Sequence, residues 1–218
     1  MASVRQDLEE ALRQYEEEEK KRKERELREK EERIRQTAQN DVESMYEPYL
    51  NGNEGNLDRL EFDGEELTWF ENNQPVWKKT AMSGDRGFQC QEFQNMKDKG
   101  PIPEGNWMVK QKDLQNYDDL SSSEKALSTV GGITGKIFKY PLGKWPGGKV
   151  AWGKNRVWLT PDQQTNTYGR NNFSIHGGNF YGSSGCIDLT GNMDEFAQRL
   201  RRYHKDIPLR VKYRKKCW

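Results

Sequence analysis

The 218-residue chain reads as a mainly β domain with a short helix near its C-terminus, preceded by a long, charged N-terminal α-helix. Residues 1–38 are dominated by charged, helix-forming side chains. From residue 57 onward, short runs rich in Trp, Phe, Val and Ile alternate with Gly, Pro and Asn clusters, the pattern of strands separated by turns. With 32% hydrophobic and 33% charged residues the chain is too polar to pack as one uniform globule, so a cored domain plus a solvated part is expected.

The arm, residues 1–38, sets Glu16 with Lys20, Glu17 with Lys21, Glu18 with Arg22 and Glu19 with Lys23, all at i,i+4 with the acid first. Each pair adds only a few tenths of a kcal/mol, but together they support a long exposed helix. Leu8, Leu12 and Tyr15 form a short apolar stripe, while Leu27 and Ile34 stand a heptad apart, too thin a seam for a coiled coil. The arm is therefore either a solvated helix or an adaptor that docks through its stripe on a partner protein. Asn40-Asp41, Pro48, Asn51-Gly52-Asn53 and Gly55 mark residues 39–56 as a linker. In the domain at 57–218, strands are expected around Trp107-Met-Val, Lys136-Ile-Phe-Lys-Tyr140 and Arg156-Val-Trp-Leu159, with a surface insertion from Asp113 to Gly132. Met193 to Tyr203 has apolar residues at helical spacing behind Thr190-Gly-Asn192 as a cap, and Ile207 to Tyr213 reads as a closing strand.

The net charge of +1 and the lack of a clustered aromatic-basic motif argue against nucleic acid as a partner. No apolar run is long enough for a transmembrane span or a signal-peptide core, so synthesis as a soluble cytoplasmic chain is expected, with a separate route for any extracytoplasmic task. Three cysteines, Cys90, Cys186 and Cys217, are too few for a disulfide scaffold, and no Cys-x-x-Cys or His-x-x-x-His pair offers a metal site. Chemistry without metal or cofactor is expected. Cys90 and Cys217 are left either as free thiols or as a bridge in an oxidising compartment.

The segment Arg170-Asn-Asn-Phe-Ser-Ile-His176-Gly-Gly-Asn-Phe-Tyr-Gly-Ser183-Ser184-Gly185-Cys186-Ile-Asp188-Leu sets a histidine and a cysteine on either side of a glycine-rich turn. A thiol is a nucleophile only when ionised, and an imidazole that turn chemistry brings back to it can take its proton. Gly185 and Cys186 would offer backbone N–H groups to a developing oxyanion. Ser183 and Ser184 are candidates for orienting the imidazole or the turn, and Asp188 shares a strand face with Cys186. Arg170 is placed to clamp a substrate carboxylate, and Tyr168, Phe180 and Tyr181 to wall a cleft. His204, at the end of the expected helix, is the competing base.

Ser184-Gly185-Cys186 behind His176-Gly177 resembles the signature of the L,D-transpeptidase (YkuD-like) superfamily, where a His-Gly element precedes a Ser/Thr-x-Gly-Cys turn. Ser184 stands where the housekeeping enzymes often carry His, and the His-to-Cys interval is shorter than theirs. Both departures resemble the branch of L,D-transpeptidase effectors of type VI secretion, with Ser-Ser-Gly-Cys-Ile-Asp after a short glycine-rich loop. Leu67-Thr-Trp69 through Trp77, Ala81-Met-Ser83-Gly84 and Gly100-Pro101-Ile102-Pro103-Glu-Gly105 are similar to the opening hairpin, Ser-Gly turn and next strand entry of that branch. The resemblance implies an L,D-transpeptidase-like β-sandwich or barrel that acts on peptidoglycan stem peptides as an L,D-carboxypeptidase or L,D-transpeptidase. Catalysis would fall to Cys186 and His176 with Ser184 and Gly185, and substrate binding to Arg170, Ser183, Asp188 and Tyr181. It also implies action as an antibacterial toxin in the periplasm of a target bacterium, and a cognate immunity protein. Two other readings stand beside it: a cell-wall-binding module without turnover, and a papain-like peptidase pairing Cys186 with His204.

Overall fold

The computed structural model describes residues 17, 19–33, 36, 58–128, 144–179 and 182–214. The chain divides into two compact units, Met1–Ser44 and Met45–Trp218. In the first, helix α1 runs over 19–33. Two of the expected pairs are present, Lys21 to Glu17 at 2.8 Å and Lys23 to Glu19 at 3.4 Å, and Arg22 joins Glu19 at 2.7 Å. Glu16, Glu18, Ile34 and the stripe of Leu8, Leu12 and Tyr15 lie outside the described residues.

Among the described residues, the second unit is built on one mixed sheet of eight strands. The strands are β1 (Arg59–Phe62), β2 (Glu66–Glu71), β3 (Gln74–Thr80), β4 (Gly105–Asn116), β5 (Asn155–Pro161), β6 (Ser174–His176), β7 (Ile187–Asp188) and β8 (Ile207–Val211). Across the sheet the order is β3-β2-β1-β8-β4-β5-β6-β7, with β1–β8 and β6–β7 parallel and the remaining pairs antiparallel. The β2–β3 hairpin closes through Asn72 and Asn73 at φ 51° and 62°, the paired positive φ that a two-residue turn needs to match strand twist. Pro75 is tolerated because β3 is an edge strand.

The two edges of this sheet meet. Just beyond β3, Met82 pairs antiparallel with Asp188 of β7 through N–H···O bonds of 3.1 and 2.7 Å. The sheet thus curls into a barrel-like form, and Gly84 N–H donates to Ser183 O at 2.9 Å to extend the seam. Gly84 is required there: at φ +89° a Cβ would sit 2.5 Å from Phe88 O. The adjacent Ser83 Oγ accepts from Ile102 N–H at 2.7 Å, so the Ser-Gly turn ties the Pro-rich entry of β4 to the closing seam.

Helix α4 (Met193–Tyr203) covers the core, burying Met193, Phe196, Ala197 and Leu200 at i, i+3, i+4 and i+7. Phe196 packs on Trp69 and Trp77, each with ring centroids 5.8 Å away, and burial of that side chain contributes about 1.5–3 kcal/mol. The expected side-chain cap is not formed. Thr190–Asn192 makes a 3-10 turn that runs into α4, and Asn192 is already helical in backbone conformation. The stretch 113–132 also differs from expectation: β4 continues to Asn116 because Leu114 pairs with Val157 and packs on the core. A turn at Tyr117–Asp119 and helix α2 over 122–128 follow, and α3 (Gly148–Trp152) precedes β5. The strand expected at 136–140 lies outside the described residues.

Candidate active site

Parallel pairing of β6 and β7 builds the site. Ile175 is in register with Ile187 and His176 with Asp188, so Ser174 and Cys186 are the next neighbours along the ladder. Because side chains alternate along a strand, Ser174, His176, Cys186 and Asp188 share one face, and Ile175 and Ile187 enter the core on the other.

His176 is 2% exposed. Its Nδ1 lies 2.6 Å from Gly177 O, and since a carbonyl only accepts, Nδ1 carries the proton. Nε2 then has its lone pair free and lies 2.9 Å from Ser183 Oγ, on the sheet face that Cys186 shares. Trp152 packs on the imidazole with ring centroids 4.9 Å apart. Cys186 is a free thiol, 3% exposed, with polar neighbours: Ser174 Oγ at 3.2 Å and Asn172 O at 3.7 Å. Burial disfavours the charged form of both groups, but their mutual pairing outweighs it. Cys186 is held below an ordinary thiol and His176 above an ordinary imidazole. The arrangement can therefore supply a thiolate beside an imidazolium.

The sequence profile of the Tlde1 domain matches residues 78–211. The chain belongs to the Tlde1 domain family. That family comprises L,D-transpeptidase effectors of type VI secretion, peptidoglycan-modifying proteins. No curated protein matches the sequence. Among solved structures, Bdellovibrio bacteriovorus Bd1075 is similar at 13% identity over 73% of this chain and 49% of that one, with a TM-score of 0.41. Mycobacterium tuberculosis L,D-transpeptidase 1 is similar at 16% identity over 71% and 62%, TM-score 0.37. The catalytic domain of the E. faecium L,D-transpeptidase is similar at 14% over 72% and 98%, TM-score 0.35. The chain thus spans about half to three-fifths of the length of the first two.

In this Tlde1 domain the hydroxyl against the imidazole is that of Ser183. Ser184 is exposed and turns the other way, 2.7 Å from Asp98 O and 3.0 Å from Asp85 Oδ1, so it anchors the turn. Gly185 has φ +87°, and a Cβ there would lie 2.6 Å from Arg170 Nη2 and 3.1 Å from the Phe173 ring. Only glycine fits. Arg170, expected to meet substrate, instead donates to three backbone carbonyls of its own chain: Gln94 at 2.5 Å, Gly100 at 2.7 Å and Pro101 at 2.7 Å. It stacks on Phe173 beneath the cysteine turn as well. Asp188 is buried, its Oδ1 accepting from Thr190 N–H at 2.8 Å and its Oδ2 without a hydrogen-bond partner. Burial raises its pKa, with Thr190 N–H and His176 opposing.

Tyr168 is 47% exposed, and Phe180 and Tyr181 lie outside the described residues. His204 is exposed at the left-handed end of α4, and the imidazole beside Cys186 is that of His176. Cys90 is disulfide-bonded, while Cys217 lies outside the described residues.

Residues without an obvious chemical flag complete the site. Ser174, the Gly177 carbonyl, Trp152 and Arg156 carry no motif of their own in the sequence. Arg156, in register with His176, stacks on Trp145, Trp152 and Trp158 at 4.4, 4.8 and 4.2 Å, and burial pulls its pKa down to about 10. Period-two alternation back from His176 was the available signal for Ser174.

Proposed function

We propose that this Tlde1 domain is a cysteine-dependent acyl transferase of peptidoglycan stem peptides, acting at the bond between an L-centre and a terminal D-amino acid. The β6–β7 register, which sets Cys186 and His176 on one sheet face with the imidazole bonded to Ser183 of the cysteine turn, is the observation that carries this reading. His176 Nε2 takes the thiol proton, and the Cys186 sulfur attacks the amide carbonyl carbon to give a tetrahedral oxyanion facing the Gly185 and Cys186 N–H groups. Collapse breaks the C–N bond, and the departing D-amino acid takes the proton from Nε2. A thioester is left on Cys186. Water, activated by the same Nε2, releases a shortened stem as in an L,D-carboxypeptidase; an incoming amine gives exchange or cross-linking as in an L,D-transpeptidase.

Family membership supports delivery as an antibacterial effector. Action would then be in the periplasm of a target bacterium, a cognate immunity protein would cover the Cys186 site, and residues 1–38 would serve a secretion adaptor or chaperone. Incubation with tetrapeptide muropeptides, read by mass spectrometry against a Cys186→Ala control, tests the chemistry. Loss or replacement of the terminal D-alanine, absent in the control, is expected. An unchanged tetrapeptide with protein that still sediments with sacculi would assign a binding module instead.

A further inference from the structure

We propose that Ser174 is a further catalytic residue, its buried hydroxyl donating a hydrogen bond to the sulfur of Cys186 whenever that sulfur carries negative charge. The inference rests on Cys186 being the nucleophile.

Ser174 is 0% exposed, in the first position of a three-residue strand. A hydroxyl buried in a strand needs a partner, because leaving it unpaired forfeits its hydration without return. The partner here is Cys186 Sγ at 3.2 Å, with Oγ as donor. On the other side of the sulfur is a group of opposite character: Asn172 O at 3.7 Å accepts from the thiol S–H. The acceptor suits the neutral thiol and the donor suits the thiolate. When His176 removes the proton, the contact to Asn172 O loses its hydrogen, whereas the Ser174 O–H···S contact becomes charge-assisted and strengthens. No proton leaves Ser174. In the second half-reaction the thiolate is the leaving group, and the same O–H stabilises the charge as the C–S bond breaks. Ser174 thus acts on both half-reactions without touching substrate. The bond also lowers the thiol's pKa, after burial, which raises it, and His176, which lowers it. Among the described residues, the other charged or titratable groups around the sulfur are His176 on β6, Asp188 on β7, Arg156 on β5 and Arg170 in the loop before β6.

Stabilising a thiolate has two kinetic consequences of opposite sign. It raises the fraction ionised, and it lowers the nucleophilicity of each thiolate with a Brønsted slope of about 0.4–0.5. The test measures iodoacetamide alkylation of Cys186 against pH in the full chain and in the Ser174→Ala and Ser174→Thr variants, with thermal melting to show that each is folded. A lost charge-assisted hydrogen bond corresponds to about tenfold in the ionisation constant. Ser174→Ala is expected to move the alkylation midpoint up by about one pH unit and to raise the high-pH plateau by about threefold, so that the two profiles cross. Ser174→Thr, which keeps the hydroxyl, is expected to follow the parent. Crossing profiles are the outcome that a packing role does not produce.

A Ser174→Ala profile superposed on the parent overturns the inference. If Ser174→Thr melts early, the Ser174→Ala comparison alone decides. Alkylation needs no muropeptide, so the two proposals fail separately. Crossing profiles in a protein that leaves muropeptides intact would retain the Ser174–thiolate hydrogen bond and sink the proposed reaction, and with it the catalytic role of Ser174. Muropeptide turnover with superposed profiles would do the reverse.

Discussion

His176 Nε2 and Ser183 Oγ are 2.9 Å apart, while Nδ1 of the same ring is fixed on Gly177 O at 2.6 Å. The backbone anchor means that the ring cannot turn Nδ1 toward the thiol. In the proposed reaction Nε2, the nitrogen that bonds Ser183, is therefore also the one left to take the thiol proton. The serine orients the ring without belonging to the proton path.

Ser183→Ala is accordingly expected to reduce kcat/KM by about tenfold or less, the worth of one hydrogen bond, and to retain acyl-enzyme formation. His176→Ala removes the base and is expected to cost about 10²–10⁴-fold. Stopped-flow rates on a tetrapeptide, with intact-mass detection of the thioester, distinguish the two. If Ser183→Ala falls as far as His176→Ala, the hydroxyl lies on the proton path after all.

The paired shifts of Cys186 and His176 give a pH signature. With the thiol below its ordinary value, alkylation is expected to have its midpoint at lower pH than a free cysteine. In His176→Ala the burial penalty stands without its main opponent, so the midpoint is expected to rise above the free-thiol value. Rapid alkylation also tests access, because Cys186 is 3% exposed. A wild-type midpoint at or above that of free cysteine would remove the thiolate–imidazolium pair from the mechanism.

The site was legible where chemistry has a local flag. A histidine and a cysteine around a glycine-rich turn name themselves, and the helical spacing of Met193, Phe196, Ala197 and Leu200 marks α4 in the same way. For Ser174, alternation back from His176 gives the face but not the partner. Its role depends on the parallel register of β6 with β7, a pairing between strands of three and two residues that no pattern within either encodes. Arg170 looked like a free cation because its partners are backbone carbonyls at 94, 100 and 101, which every sequence has and only a fold can make converge. The extension of β4 to Asn116 was hidden likewise: polar Asp113, Gln115 and Asn116 masked Leu114, which the core holds.

Arg170 yields a stability prediction. Its planar fork serves three carbonyls that lysine, a point charge on a flexible stem, cannot reach together. Arg170→Lys is expected to destabilise the domain by about 1–3 kcal/mol, from lost hydrogen bonds and carbonyls left without a donor. Because Nη2 lies under Gly185, kcat is expected to fall as the cysteine turn loosens, with KM little changed. Urea unfolding and steady-state kinetics on the same preparations check both. A risen KM with unchanged unfolding would instead give Arg170 the substrate-carboxylate role.

Asp188 makes the protein's stability depend on pH in a direction opposite to most carboxylates. Burial raises its folded pKa above 3.8, so near that pH the folded protein holds a proton that the unfolded chain has begun to release. An acid raised on folding stabilises the fold only while protonated, so the Asp188 contribution to stability declines as pH climbs from 3.8 through the folded value, then levels off. Asp188→Asn keeps an oxygen for the Thr190 N–H and does not titrate. The stability of wild type minus that of Asp188→Asn is therefore expected to fall with rising pH across that window and to be flat above it. Urea midpoints for both proteins over a pH series measure this directly. A difference that grows with pH would mean that the carboxylate, rather than the acid, is the form the fold accommodates, with His176 as its counter-ion.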